Sequence, residues 1–217
     1  MTPTTATGVA FLIDDDAAVR DALSWLLRSR GIPSKNWSSA EAFLTDYSPH
    51  MQGCLIIDIR MQGMTGFELF DRLLNLKCLM PVIFLTGHGE VSKAVQVLKQ
   101  GAFDFIEKPF NDNELADRVL EALAWDESRR ARGQQSHAIH DRLRSLTSRE
   151  KEVMCLIIKG QMNKIIADEL NIAMRTVEVH RSHVFEKMGV KSAVELATLL
   201  AENNLPTPHY PPVETPR

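Results

Sequence analysis

The 217-residue sequence predicts an α/β domain with a doubly wound parallel sheet, followed by an all-α domain of four helices. Three observations carry this. Up to about residue 123, short apolar runs of strand length alternate with amphipathic helical stretches, the order expected of a parallel sheet covered on both faces. From Leu146 onward the periodicity is purely helical. Between them, residues 124–142 are charged, Arg-rich and poor in large apolar groups, and Gly133-Gln134-Gln135-Ser136 breaks the pattern, so the stretch reads as a linker. The expected boundaries are 8–123 and 143–203 for the two domains. Residues 204–217 form a tail that holds five of the ten prolines, read as disordered or polyproline-like.

Each element follows from local signals. Residues 9–13 form a buried strand. Asp16 N-caps a helix over 17–30, and Gly31 stands at the C′ position where a left-handed residue ends a helix. A weaker strand covers 32–36. Ser38-Ser39-Ala40-Glu41 has capping-box spacing before a helix to about Tyr47. A strand over 54–57 ends at Asp58. Thr65-Gly66-Phe67-Glu68 repeats the capping spacing before a third helix. Residues 82–85 are a strand, 91–100 a helix closed by Gly101, and 103–106 a strand; Asn111-Asp112-Asn113-Glu114 opens a fifth helix. In the second half Thr147-x-x-Glu150 is another capping box. Val153, Leu156 and Ile157 give an apolar stripe that Gly160 stops, and further helices fit 163–170, 174–188 and 192–203.

Composition limits the function classes. With 44% hydrophobic and 24% charged residues the chain is ordinary globular protein, not wholesale disorder. No apolar run approaches the ~18–20 residues of a membrane span. The first eight residues lack a signal-peptide pattern, and the three cysteines have neither metal-ligand nor disulfide-framework spacing, which favours a cytoplasmic location. Taken whole, the net charge of −3 disfavours nucleic acid, but it is unevenly placed: −5 over 1–123, +1 over 124–142 and +1 over 143–217. An acidic first half suits metal or phosphoryl chemistry, and a mildly basic second half permits DNA.

In a doubly wound sheet, side chains at the strand C-termini meet at one rim, where sites form. Asp14 and Asp15 end the first strand, Asp58 the third and Thr86 the fourth, and Lys108 follows the fifth. Clustered carboxylates bind a hard cation such as Mg²⁺, an aspartate can act as nucleophile to form an acyl phosphate, and lysine with a hydroxyl can hold phosphoryl oxygens. Asp16 is assigned to capping.

Ile13-Asp14-Asp15-Asp16, Asp58-Ile59-Arg60-Met61, Leu85-Thr86-Gly87 and Glu107-Lys108-Pro109-Phe110 together resemble the receiver domains of bacterial two-component response regulators over roughly residues 8–123. The resemblance implies a flavodoxin-like strand order. It implies that Asp58 accepts a phosphoryl group from a histidine kinase. Asp15, Asp58 and the Arg60 carbonyl would bind Mg²⁺, with Asp14 assisting. Thr86 and Lys108 would hold the phosphoryl oxygens, Lys108-Pro109 would be cis, and Thr86 and Phe105 would form the switch. The fourth helix and fifth strand (Val91, Val95, Lys99, Asp104, Glu107) would be the face that changes. Arg60 and His88 would flank the phosphoryl group and tune its lifetime. Gln62 departs from the family, which usually has proline there, so a less rigid loop is expected after Asp58.

In the helical half, Ile166, Ala167, Leu170, Asn171, Ile172 and Val177 have helix-turn-helix spacing, with Asn171 at a turn that often needs a left-handed residue. The helix over 174–188 presents polar groups able to reach a major groove, although a generic polar bundle face has the same look. Leu146-Thr147-x-Arg149-Glu150-x-Glu152-Val153, Gly160-x-x-Asn163-Lys164-x-Ile166-Ala167 and Thr176-Val177-Glu178-Val179-His180-Arg181 resemble the LuxR-type helix-turn-helix domain, and the pair of domains looks most like the FixJ-type subgroup. By that resemblance Glu178, Val179 and Ser182 face base edges, while Lys164, Arg175, Thr176, His180 and Arg181 contact phosphates. Glu178 is expected to pair with Arg181, three positions on. Ala173 stands where a serine cap is common, and Ala193 where arginine is common.

These readings predict a transcription factor, not an enzyme, whose binding to promoter DNA is controlled by Asp58 phosphorylation. Its expected partners are a histidine kinase, a second copy when phosphorylated and, as a candidate, RNA polymerase; no membrane is involved. The alternatives are a phosphoryl-relay or docking module without sequence-specific DNA binding and, more weakly, a small-molecule phosphoryl-transfer enzyme.

Overall fold

The computed structural model describes residues 8–87 and 91–203, with the backbone alone at 91–94. His88 and the proline-rich tail lie outside the described residues. The chain divides into two compact units, Met1–Ala131 and Arg132–Arg217.

The first unit is built on β1 (Val9–Ile13), β2 (Ser34–Trp37), β3 (Gly53–Asp58), β4 (Val82–Thr86) and β5 (Asp104–Glu107). All neighbouring strands pair in parallel, in the order β2-β1-β3-β4-β5, which is the flavodoxin-like order expected. The helices are α1 (Ala17–Ser29), α2 (Ala40–Asp46), α3 (Gly66–Asn75), α4 (Val91–Lys99) and α5 (Asp112–Ser145). The period-2 alternation of strand side chains sorts them into two cores. Phe11, Ile13, Leu55, Ile57 and Phe84 pack with Phe43 of α2, Leu69 and Leu73 of α3 and Val97 of α4. Ala10, Leu12, Ile56, Ile83 and Leu85 pack with Leu23 and Leu27 of α1 and Leu115 and Val119 of α5. Every residue of β3 is buried, as a central parallel strand requires.

The local signals hold with small corrections. The Asp16 side chain caps α1, and Thr65 and Glu68 form the full capping box of α3. Gly31 takes φ +72° just past the end of α1. The cap of α2 is Ser39, not Ser38, with the Ser39 hydroxyl accepting from Ala42 N. The second strand starts later than expected, because Ile32 N donates to Leu27 O (2.9 Å) and so belongs to the turn that ends α1.

The largest correction lies at 124–142. The break expected at Gly133 does not occur, and α5 runs helical through the whole stretch. The reason is composition: Glu, Arg, Ala and Gln are good helix formers, and one interior glycine costs only about 1 kcal/mol. Nor is the stretch wholly solvated. Asp126 is fully buried in the first unit and Ile139 is buried in the core of the second.

The second unit contains α6 (Ser148–Ile158), α7 (Asn163–Leu170), α8 (Met174–Met188) and α9 (Ala193–Glu202). Val153, Leu156, Ile166, Leu170, Val177, Val184, Met188, Leu196 and Leu200 form its core. Thr147 and Glu150 make the capping box of α6. Asn171 adopts the left-handed conformation, φ +51°, between α7 and α8. Arg149 donates to Leu170 O (2.6 Å) and satisfies a carbonyl at the end of α7.

Candidate functional site

Strand register assembles the first site. Ile13 lies opposite Ile57, so Asp14 and Asp58 follow at one level; Asp58 itself lies opposite Leu85, and Thr86 opposite Glu107, with Lys108 next. Asp14, Asp58 and Thr86 are buried, while Asp15 and Arg60 are exposed. Gly66 is required close by, because a Cβ there would come within 2.3 Å of the Asp58 carbonyl oxygen. Lys108 Nζ donates to Asp58 Oδ1 (2.7 Å) and to Asp14 Oδ2 (3.0 Å). Lys108 N donates to Thr86 O (2.7 Å), which ties the fifth strand's end to the fourth's, and Lys108-Pro109 is cis.

Burial pushes the Asp58 carboxyl above the ordinary aspartate range, against the hydrogen bond and charge of Lys108 that work to lower it. Burial disfavours the Lys108 ammonium, yet its bonds to Asp58 and Asp14 raise its pKa overall. One ammonium thus serves two carboxylates at a site only partly shielded from water.

Asp15 is held differently. Its Oδ2 accepts the Gln62 N–H (2.9 Å), a donor that a proline at 62 could not supply. Among the described residues, no group of three or more His, Cys, Asp or Glu stands ready to hold a metal ion. The loop after Asp58 is also better anchored than the departure at Gln62 suggests: Met64 N donates to Glu41 Oε1 (2.9 Å) and Gly66 N to Ile59 O (3.0 Å). Sequence reasoning missed Glu41 and Arg20, whose guanidinium donates to Asp14 O (2.7 Å). Spacing offers Glu41 only as a capping residue and says nothing of Arg20, because the partners Met64 and Asp14 lie outside their helices. Phe105 is half-buried and packs against the core that holds Phe84. Thr86 Oγ1 donates to Gly87 O (3.1 Å).

The second candidate site is α8 with Lys164 of α7. Lys164, Arg175, Thr176, Val179 and Ser182 are exposed, and Glu178, His180 and Arg181 are half-buried. Glu178 pairs with Arg175 (2.9 Å), not with the expected Arg181, whose guanidinium instead lies 5.4 Å from the centre of the Phe185 ring. The aromatic face offers Arg181 a partner within one helical turn, which leaves Glu178 to the residue three positions before it. His180 Nδ1 is buried without a hydrogen-bond partner. Ala173 supplies no side-chain cap, so the first N–H groups of α8 lack that oxygen.

Glu150 does more than the capping its spacing predicts. The structure makes it a hub: its Oε2 accepts from Lys187 (2.7 Å) and Thr147 N (2.8 Å), and His183 lies 3.6 Å away, so one carboxylate links the start of α6 to α8. Burial works to raise its pKa, but Lys187 and the Thr147 amide and hydroxyl prevail and lower it to about 2.

The comparisons with known proteins agree with both halves. Residues 10–120 match the response regulator receiver domain, and residues 144–200 match the bacterial regulatory proteins of the luxR family. The C4-dicarboxylate transport transcriptional regulatory protein DctR of Rhodobacter capsulatus is 49% identical over 190 residues, covering 87% of this chain and 96% of that protein. The transcriptional regulatory protein FixJ of Bradyrhizobium diazoefficiens is 40% identical over 195 residues, covering 90% and 95%. Among solved structures, the response regulator StyR matches with a TM-score of 0.84 at 38% identity, covering 90% of this chain and 98% of that one. The first unit is therefore a receiver domain. The chain belongs to the two-component response regulators that join a receiver to a LuxR-type DNA-binding domain, and it is a transcriptional regulator of that kind.

Proposed function

We propose that Asp58 is the phosphoacceptor through which a histidine kinase controls DNA binding by this regulator. The observation that carries the reading is Lys108 Nζ on both Asp14 and Asp58 at the ends of adjacent parallel strands. Asp58 Oδ attacks the phosphorus of a phosphohistidine, the P–N bond breaks, and an acyl phosphate forms on Asp58. Lys108 is close enough to follow the charge onto the phosphoryl oxygens, and Thr86, one residue beyond the partner of Asp58 on β4, supplies its hydroxyl.

Asp14, Asp15, Asp58 and the Arg60 carbonyl fit Mg²⁺ by chemistry, being hard oxygen donors. When bound, the ion would screen the repulsion between the carboxylates and the incoming phosphoryl group. To bind the ion through Oδ2, Asp15 would give up the Gln62 N–H on that oxygen. Phe105 is the proposed aromatic partner of the Thr86 switch, and α4–β5 the face that changes. Arg60 and His88 are proposed to set acyl-phosphate lifetime.

In the helical domain Arg175, Thr176, His180, Arg181 and Lys164 position the protein on phosphates, and Glu178, Val179 and Ser182 read base edges. Phosphorylation shifts the receiver population and favours a homodimer on two half-sites, with RNA polymerase as a further partner. The setting is cytoplasmic, and the chain acts on its own Asp58 alone, not as an enzyme on other substrates.

Selection of genomic fragments by the full chain, with and without a phosphoryl donor, tests the whole reading. Donor-dependent enrichment that is lost in Asp58→Asn and weakens steeply with salt is expected. Equal enrichment by both proteins, or none by either, overturns it.

A further inference from the structure

We infer that the receiver carries a binding site for a small aryl carboxylate, remote from Asp58, where two cavities adjoin near the start of β4. The cavities share the wall Cys78, Leu79 and Met80. One, of about 380 Å³, is apolar, with Phe70, Leu73, Leu79, Phe103 and Trp125 among its lining. The other, of about 350 Å³, is lined by Lys77, Arg129, Arg130, His50 and Tyr47, and by no acidic side chain among the described residues. Volumes of this order suit small organic molecules.

Charge is the informative feature. Lys77 of the acidic first 123 residues meets Arg129 and Arg130 of α5 here, so three basic side chains gather in one cavity. Asp126 lies behind them, fully buried, accepting from Arg129 (2.7 Å), Arg130 (2.8 Å) and Gly53 N (3.1 Å). One carboxylate cannot neutralise two guanidiniums and an ammonium, so the cavity stays cationic. Arg129 Nε is buried without a hydrogen-bond partner, while 29% of the side chain stays exposed, where an anion can accept from the guanidinium.

Trp125 joins the two cavities. Its ring lines the apolar one and packs edge-on to Phe103 at 6.2 Å between centroids. The Arg129 guanidinium, which lines the cationic one, sits 5.7 Å from the centre of the same ring. A ligand ring laid in the Trp125–Phe103–Phe70 pocket therefore has its carboxylate beside Arg129, with Lys77 and Arg130 lining the same side. Trp125 is 48% exposed and Leu79 62% exposed, so the site opens to solvent. The proposal does not depend on phosphorylation of Asp58 or on DNA binding.

Calorimetric titration of the full chain with phenylacetate, phenylacetamide and acetate tests it. Phenylacetate is expected to bind saturably, and the uncharged amide and the ring-less acetate each about tenfold or more weakly. Arg129→Gln, in which Arg130 still serves Asp126, should weaken phenylacetate about tenfold. Lys77→Asn, which suits the left-handed φ of +55° at that position, should weaken it about threefold and does not disturb the Asp126 cluster, so it remains informative if Arg129→Gln fails to fold. No saturable heat up to about 10 mM phenylacetate, a limit of weak affinity, overturns the inference. So does binding of the amide as tight as that of the acid, or unchanged binding in a folded variant. Binding of an acidic amphipathic peptide but not phenylacetate, sensitive to the same variants, also overturns it in favour of a protein partner.

Discussion

Each unit keeps a buried carboxylate against a lysine ammonium, Asp58 in the first and Glu150 in the second, and the two behave oppositely. Asp58 and Glu150 are 7% and 3% exposed, and each lies 2.7 Å from an ammonium. The Asp58 pKa is raised and the Glu150 pKa is lowered to about 2. Burial outweighs the donors at Asp58 and the donors outweigh burial at Glu150, and the lysines are shared differently. Lys187 serves Glu150, whose second partner is the α6 capping box, while Lys108 is divided between Asp58 and Asp14. A carboxylate with a complete set of donors is structural. One left short of positive charge is suited to take on an incoming cation and to react.

The contrast breaks most sharply by substitution. Asp58→Asn is expected to abolish acid-labile phosphoryl incorporation from acetyl phosphate. It should change the unfolding free energy of the receiver, read by urea titration, by under about 1 kcal/mol, because losing the buried charge and losing the Lys108 bond oppose each other. A receiver that unfolds would make Asp58 structural after all. Glu150→Gln should instead destabilise the helical unit by about 2–3 kcal/mol, by losing a charge-assisted bond and leaving Lys187 without its partner, as read by denaturant unfolding.

The pH dependence should follow. With its carboxyl pKa lowered from 4.5 to about 2, Glu150 adds stability that is fully present above about pH 4.5 and is lost as pH falls toward 2. Allowing for solvent around Lys187, this amounts to about 2 kcal/mol, and it should vanish from the acid limb of the Glu150→Gln unfolding profile. Asp58 has the opposite sign. Its raised pKa means that ionisation on raising the pH costs stability, so Asp58→Asn should flatten that loss.

Smaller effects sharpen the picture. Gln62→Pro removes the N–H that holds Asp15 Oδ2, and Mg²⁺ affinity, measured by intrinsic fluorescence, should rise about three- to tenfold, the worth of one hydrogen bond. Ala173→Ser should add about 1 kcal/mol to the helical unit by capping α8, visible in thermal melts.

Much of this was legible in the sequence. Caps at Asp16, Thr65 and Thr147, the glycine after α1 and the left-handed Asn171 are determined by residues within a turn of one another, so they can be read from spacing alone. The positions of Asp14, Asp58, Thr86 and Lys108 at strand ends were equally readable, because a period-2 pattern and a parallel sheet leave their level little freedom. The reading failed where competition between partners decides. Glu178 chose Arg175, since Arg181 found Phe185. Residues 124–142 looked like a solvated break because their apolar content is low, but Asp126 is buried through Gly53 and two arginines.

Sequence by itself thus determined the two fold classes, the strand-end cluster and the helix-turn-helix spacing through periodicity and local turn signals, and its motifs carried the resemblance to a receiver and a LuxR-type domain. Only the tertiary structure decided which donors each carboxylate receives: Lys108 shared between two acids, Gln62 N–H on Asp15, Lys187 given to Glu150. The physical reason is that burial and charge depend on every neighbour in space, most of them distant in the chain, and a buried charge takes its properties from that full set.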